Sequence, residues 1–442
     1  MSFPRYPEYK DRGVEWLGEV RANWRTKRLS YLFRQISSGT TPQSEYDENY
    51  GGDISWVTTG ELREEFIDST EKSVTEAALK KYSALKIYPA GTLLMAMYGA
   101  TIGRLGILRV AACTNQACCA FSEPIDASVR FVFYCLLAAR DHLILIASGG
   151  GQPNINQDKI RSLRLATPPI AEQTAITAFL DRETAKIDAL VAEQEKLIAL
   201  LKEKRQAVIS HAVTKGLNPD APMKLSGIEW LGDVPAHWEV KRLSHLFKVI
   251  SSGTTPSSDD ADSYDGDIFW VTTGELREDL ITATEKTVTA SALSKYSALK
   301  IYPPGTLLMA MYGATIGRLG TLLVPATTNQ ACCALAEPEN TSVSFIFYAL
   351  LSARDHLLLI ASGGGQPNIN QDKIRSLRLP VPVLAEQTNI AAFLDRETGK
   401  IDEMVAQADC AITLLKERRS ALISAAVTGQ IDVRSLVPVK AA

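Results

Sequence analysis

Arginine, amide and hydroxyl side chains can read or hold a nucleic acid, and in this chain they collect in a few glycine-punctuated stretches. Arg63 closes "WVTTGELR", and Arg104 closes "YGATIGR" close behind Tyr98. Either guanidinium could pair with a guanine edge or clamp a phosphate. Gln152, Asn154 and Asn156 follow three glycines in "SGGGQPNIN", where missing side chains let backbone approach a ligand closely. Their amides carry the paired donor and acceptor that match adenine. Ser38, Thr40 and Thr41 of "SSGTTP" put hydroxyls on a turn, suited to phosphate contact. Each has a plainer alternative: a surface ion pair for the arginines, a hinge whose amides satisfy local backbone, a turn that caps a helix. The neighbouring Lys159, Arg161 and Arg164 form a basic cluster, open to phosphate contact or to a solvated helix face.

The whole set is written twice. "SSGTTP" at 37–42 returns at 251–256, an offset of 214 positions. "WVTTGELRE" (56–64, 270–278), "GTLLMAMYGATIGRLG" (91–106, 305–320), "TNQACCA" (114–120, 328–334) and "ASGGGQPNINQDKIRSLRL" (147–165, 361–379) keep that offset without insertion. The counterparts are therefore Ser252, Thr254, Thr255, Arg277, Tyr312, Arg318, Gln366, Asn368 and Asn370. So long a period excludes a solenoid. A domain pair is duplicated.

Around these residues, short β-type runs such as "DISWVTT", "GTLLMAMY" and "GRLGIL" alternate with turns and one helical stretch, "SVRFVFYCLLAARDHLI", which predicts an α+β domain. The texture then changes. Positions 171–215 hold neither Gly nor Pro, and apolar residues recur at heptad spacing. One track is Leu180, Ile187, Leu201 and Val208; a second is Leu190/Val191, Leu197/Ile198 and Ala212. The copy carries Leu394, Ile401, Leu415 and Leu422 on the first track. Some 40 helical residues make a rod about 60 Å long. Its narrow apolar seam wants a partner, and the matching seam is the other copy; a helix lying on its own globular domain is the alternative. The expected organisation is a domain over 1–167, a helical spacer over 168–216, a second domain over 217–381 and a second spacer over 382–430. An antiparallel pair of spacers would set one domain at each end, related by a pseudo-two-fold axis.

Composition bounds the chemistry. Length 442 with 46% hydrophobic residues supports more than one core. The net charge of −3 gives no global polyanion-binding signature. The seven cysteines form no C-x-x-C and read as buried reduced thiols of a cytosolic protein. The five histidines are scattered, with His142 and His356 in apolar helical runs. There is no phosphate loop ending in Lys-Ser/Thr, no H-E-x-x-H, no G-x-S-x-G and no Asn/Asp-Pro-Pro-Tyr/Phe. The opening "MSFPRYPEYKDRGVEW" lacks an apolar h-region, so no signal peptide is expected. The apolar run at 131–147 is interrupted by Arg140, Asp141 and His142, which argues against a membrane span. A binding module without an active site or metal is the expectation.

In their order along the chain, "GVEWLGEV…W…KRL", "SSGTTP", "W…GELRE", "YGATIGRLGI", "TNQ", "QPNINQDKIRSLRL" and "PP…AEQ…FLDRETAKIDALV" closely resemble the specificity subunit of type I restriction–modification systems. The resemblance implies two target recognition domains, separated by two helical spacers that form an antiparallel coiled coil, on a cytoplasmic, non-catalytic subunit. Its implied partners are double-stranded DNA, two modification subunits that use S-adenosylmethionine to methylate adenine, and restriction subunits that use ATP and Mg; no cofactor is expected on this chain. In that family the two recognition domains usually differ, whereas here they nearly coincide. A near-palindromic bipartite target with a non-specific spacer is therefore expected. The residues alone leave open the specificity subunit of another restriction class, or a coiled-coil scaffold whose heads bind protein.

Overall fold

The computed structural model describes residues 3–43, 47–148, 153–361 and 367–436. The chain forms two compact units, Met1–Gln194 with Cys410–Ala442, and Glu195–Asp409. The first is built on a five-stranded sheet of β1 (Phe33–Ser38), β2 (Phe66–Ile67), β3 (Leu93–Ala96), β4 (Leu105–Leu108) and β5 (Cys118–Pro124), in the order β1-β5-β3-β4-β2. Neighbours are antiparallel except β2 and β4, which run parallel.

The run "LLMA" of β3 explains the layering. Leu93 and Met95 enter a core with the helix Val129–Ala138, while Leu94 and Ala96 enter another with Val57, Leu62, Tyr88 and Ala112. Successive side chains of a strand point to opposite faces, so a sheet covered on both faces needs an unbroken apolar run. The second face is covered by a three-stranded sheet, Tyr50–Val57 between Ala112–Thr114 and Lys72–Val74. The second unit repeats the plan with β6 (Phe247–Ser252), β7 (Asp279–Ile281), β8 (Leu307–Ala310), β9 (Leu319–Leu322) and β10 (Cys332–Pro338), in the order β6-β10-β8-β9-β7.

Two long helices, Ile170–Lys215 and Leu384–Val427, leave these units. Each is anchored through the "AEQ" of its first turns. Gln173 and Gln387 are fully buried: their Oε1 atoms accept from the Ser128 and Ser342 N–H groups at 2.8 Å, and their Nε2 atoms donate to the Pro168 and Pro382 carbonyls at 2.9 Å. A buried amide thus satisfied on both sides fixes where the helix starts. The preceding Glu172 and Glu386 accept the indole N–H of Trp24 (3.1 Å) and of Trp238 (3.0 Å).

The first heptad track points inward. Leu180, Ile187 and Leu422 lie in the core of the first unit with Leu415 packed against it, and Leu394 lies in that of the second with Val208 packed against it. Leu201 and Ile401 are buried. The earliest helical turns, through Ile176, Phe179 and Ile390, serve the sheet domains instead, so the seam and the domain-facing alternative hold along different lengths. On the second track the structure chooses within each pair: Val191 and Ile198 turn half inward and Ala212 is buried, whereas Leu190 and Leu197 are 51% and 42% exposed. Asp188 pairs with Arg419 at 2.9 Å in the first unit, and Asp402 with Arg205 at 3.0 Å in the second. Asp188 and Asp402 are repeat mates, as are Arg205 and Arg419. Each unit therefore holds the same ion pair between the two long helices, with the helix that gives the aspartate and the one that gives the arginine exchanged.

Six cysteines are buried, but Cys410 is exposed, against the expectation of buried thiols throughout. Burial raises the buried thiols, Cys113 to about 11 and Cys119 and Cys333 to about 12. Among the described residues no single helix is long and apolar enough to cross a membrane. The bent pair Val343–Ser352 and Arg354–Ile360 passes on length and composition, yet supplies Phe345, Ile346, Leu350 and Leu357 to the second unit's core.

Candidate nucleic-acid interface

Strand direction decides where the candidate residues fall. β1 and β3 run one way, and β5, β4 and β2 the other, with Ser38 opposite Cys119, Ala96 opposite Cys118 and Met95 opposite Leu105. One end of the sheet therefore collects the segments that follow β1 and β3 and those that precede β5, β4 and β2. Thr40 and Thr41 follow β1, Tyr98 follows β3, Gln116 precedes β5, Arg104 precedes β4 and Arg63 precedes β2. The Glu64 N–H donating to the Leu105 carbonyl at 2.8 Å sets the last two side by side. Asn154 is zipped to Tyr98 by a β-bridge, with the Gly99 N–H donating to the Pro153 carbonyl at 2.8 Å. Residues up to about a hundred positions apart thus share one edge.

Their side chains are not equally free. Tyr98 is 44% exposed, Arg104 and Asn154 are exposed, and none of the three has a side-chain partner among the described residues. Exposed Arg63 donates from Nε to the Gly60 carbonyl at 3.2 Å and forms no ion pair among the described residues, so its remaining donors face outward. It follows a capping box in which Glu61 accepts from the backbone and hydroxyl of Thr58, which is why "TTGE" precedes it.

Two of the three hydroxyls are engaged: Ser38 accepts from the Gln157 amide at 2.8 Å and the Thr41 hydroxyl donates to Gln116 Oε1, while Thr40 is held through its carbonyl, which accepts from the Trp56 indole at 3.2 Å. Asn156 is the N-cap of the helix Gln157–Ser162, its Oδ1 accepting from the Lys159 N–H at 2.9 Å. The basic cluster is mostly engaged with backbone: Lys159 donates to the Ile146 carbonyl at 2.7 Å and Arg161, though exposed, to the Ile36 carbonyl at 2.5 Å, while exposed Arg164 makes no such bond among the described residues. Those two cations fasten the helix to β1 and to the segment behind it. Gln152 and Gln366 lie outside the described residues.

The second unit reproduces the arrangement. Tyr312 (41% exposed) bridges Asn368, and Arg318 is exposed and unpartnered among the described residues. Arg277 donates to the Gly274 carbonyl, Ser252 accepts from Gln371, the Thr254 carbonyl accepts from Trp270, Thr255 donates to Gln330, and Asn370 caps Gln371–Ser376. Two residues at this end escaped the sequence reading: Gln116 and Gln330, exposed amides of "TNQ" fixed by a threonine. The signal was in hand, an amide in a stretch repeated without change, but the threonine that holds it lies 75 residues away.

The units differ elsewhere. Phe66 lies under the Arg109 guanidinium at 4.3 Å and beside Arg130 at 5.3 Å, where the second unit has Leu280, Leu323 and Ser344. In the second unit the divergent 257–263 stretch is tied down by Asp260, whose carboxylate takes the Lys295 ammonium at 2.7 Å and the Ser263 hydroxyl at 2.6 Å and is held at about 2. Among the described residues no group of three or more His, Cys, Asp and Glu could hold a metal ion.

Two sheet units carrying the same exposed polar edge, each seated on the start of a long helix, correspond to a known family. The type I restriction modification DNA specificity domain matches residues 21–199 and again 235–405, and the chain belongs to that family. It is 24% identical over 452 residues to the type I restriction enzyme MjaIX specificity subunit of Methanocaldococcus jannaschii, covering 99% of each chain. It is 25% identical over 233 residues to the EcoR124I/EcoR124II specificity subunit of Escherichia coli, covering 51% of this chain and 52% of that one. Among solved structures, a chain of a type I restriction–modification system matches with TM-score 0.73 at 15% identity, over 93% of this chain and 99% of that one. The HsdS subunit of Thermoanaerobacter tengcongensis matches with TM-score 0.54 at 15% identity, over 93% and 98%. The protein is a specificity subunit of a type I restriction–modification system: a non-catalytic component whose work is DNA sequence recognition.

Proposed function

We propose that the chain reads a bipartite duplex target with two equivalent half-sites in inverted orientation, separated by bases that it does not read. Each unit would meet one half-site with its polar sheet end. Arg104 and Arg318, Arg63 and Arg277 suit guanine edges or phosphates, Asn154 and Asn368 suit adenine, Tyr98 and Tyr312 suit a sugar-phosphate or base contact, and the fixed amides of Gln116 and Gln330 lie beside them. Ser38, Thr40, Thr41, Ser252, Thr254 and Thr255 then act mainly by shaping the loops, and Asn156 and Asn370 by capping. Two modification subunits would supply S-adenosylmethionine-dependent adenine methylation. Restriction subunits would supply ATP- and Mg-dependent cleavage, all in the cytoplasm, with 1–167 and 217–381 as recognition domains and 168–216 and 382–430 as spacers.

The observation that carries the symmetry is where the copies agree. Stretches 37–42, 58–64, 98–106, 114–118 and 153–158, which form the polar end, are identical to 251–256, 272–278, 312–320, 328–332 and 367–372. The copies differ outside these stretches, among other places at 43, 45–49, Ser55, Phe66, Ile107, Arg109 and Arg130. Long-read methylome sequencing of a host expressing the chain with its modification subunits tests this. An inverted-repeat motif is the expected result, and two unlike half-sites would overturn it.

A further inference from the structure

The repeated "ARDH" at 139–142 and 353–356 has no part in the contacts proposed so far, yet its arginine reaches the polar end. Arg140 opens the short helix Arg140–Ile146 and donates from Nη1 to Glu64 Oε1 at 2.7 Å. Its aliphatic stem lies against Gly103, where an added Cβ would come 3.0 Å from Arg140 Cγ. Glu64 and Gly103 are the chain neighbours of Arg63 and Arg104. One arginine therefore braces the two loops that present two others.

The brace is held in unusual backbone. Glu64 sits at φ 65, in the left-handed region that a residue with a Cβ seldom adopts, and Gly103 at φ 76. The second unit repeats each part: Arg354 to Glu278 at 2.7 Å, Glu278 at φ 63, and Gly317 at φ 75 with its hypothetical Cβ 3.1 Å from Arg354 Cγ. Both partners of each bridge are about one-third exposed, at 33% and 28% in the first unit. An ion pair so open to water adds little stability. Backbone strain that persists in both units without a stability return points to a geometric requirement at a functional loop. The Glu64 carboxylate neutralises Arg140, whereas Arg63 and Arg104 on the two braced loops have no ion-pair partner among the described residues.

We infer that Arg140 and Arg354 are positioning residues for target recognition: through Glu64 and Glu278 they set Arg63 with Arg104, and Arg277 with Arg318, at a fixed separation on the DNA. This rests on the proposed reading of the sheet end. The assembled complex with modification subunits carries the test, using Arg140→Gln and, separately, Glu64→Gly, which removes the carboxylate while suiting the left-handed backbone. The second unit stays unaltered as internal control. Because the half-sites are equivalent, the complex can seat the altered unit on either one. Methylation at targets with a non-cognate base in one half-site is therefore expected to rise at least tenfold, while targets with a non-cognate base in both half-sites stay at the parent's level and the thermal midpoint stays within about 2 °C of the parent. An unchanged motif in both variants overturns the inference, as does a general loss of methylation at cognate and single-mismatch targets alike with a lowered melting point, the mark of a merely structural bridge. Arg63→Ala and Arg104→Ala separate the two levels. If they too leave motif and affinity intact, the sheet-end reading fails; if they alter the motif while Arg140→Gln and Glu64→Gly do not, the positioning inference alone fails.

Discussion

Gly39 is the residue on which the twice-written hexapeptide turns. A Cβ built there would lie 1.7 Å from the Thr114 carbonyl oxygen, and one at Gly253 would lie 1.7 Å from that of Thr328. The loop backbone presses directly on the neighbouring strand, and the Gly39 N–H donates to the Thr114 hydroxyl at 3.1 Å. Gly39→Ala is therefore expected to cost about 3 kcal/mol or more, because the obstacle is backbone rather than a side chain that can swing away. A chemical denaturation midpoint measured beside Gly60→Ala, whose nearest obstacle is a threonine hydroxyl at 3.6 Å, checks it; equal midpoints would refute the close approach. "SSGTTP" was readable as a special turn, but the source of its demand was not, since Thr114 is 75 residues away. Asn156 went to the plainer of its two readings: its amide oxygen satisfies local backbone, as the N-cap of the helix Gln157–Ser162.

At the scale of elements, the long helices were visible in the absence of Gly and Pro and in the spacing of Leu180, Ile187 and Leu201. What spacing could not decide was which of two adjacent apolar residues faces inward on the second track. The choice between Leu190 and Val191 depends on the crossing of a partner helix, and it went to Val191. The same physics ranks the contacts. Leu180 is fully buried in the first unit's core, so Leu180→Ala should cost about 2–5 kcal/mol through lost transfer energy and a residual cavity. Asp188→Asn breaks a bridge whose carboxylate is 54% exposed and should cost less than about 1 kcal/mol. Thermal or urea unfolding of the two variants side by side checks the ranking; a larger loss from Asp188→Asn would mean that ion pairs and not apolar burial hold this helix. The "AEQ" run teaches the complementary lesson. Its glutamine and glutamate are engaged in the helix start, where they satisfy the Ser128 N–H, the Pro168 carbonyl and the Trp24 indole, and their recurrence follows from that need.

For the whole molecule, duplication was the most legible feature, and net charge the one easiest to misread. A chain at −3 gives no global attraction to a polyanion, yet each unit concentrates unpaired cations at one edge. Arg63, Arg104, Arg277 and Arg318 are exposed at the polar ends without an ion pair among the described residues, while Lys159, Arg161 and their repeat mates are tied to backbone carbonyls. If all four free guanidiniums neutralised phosphates, the logarithm of the binding constant would fall with the logarithm of salt concentration at a slope of about −4. Each one that reads a base edge instead makes the slope shallower by about one. The purified chain without partner subunits is therefore expected to bind its duplex weakly, with a slope between 0 and about −4, measured by fluorescence anisotropy across a salt series. Arg104→Ala then assigns the contact. A uniform loss over all sequences with a slope shallower by about one marks a phosphate clamp, whereas an unchanged slope with relaxed preference at one base marks direct readout. A parent slope near −8 would require cations far from the sheet ends and would refute the placement of the interface there.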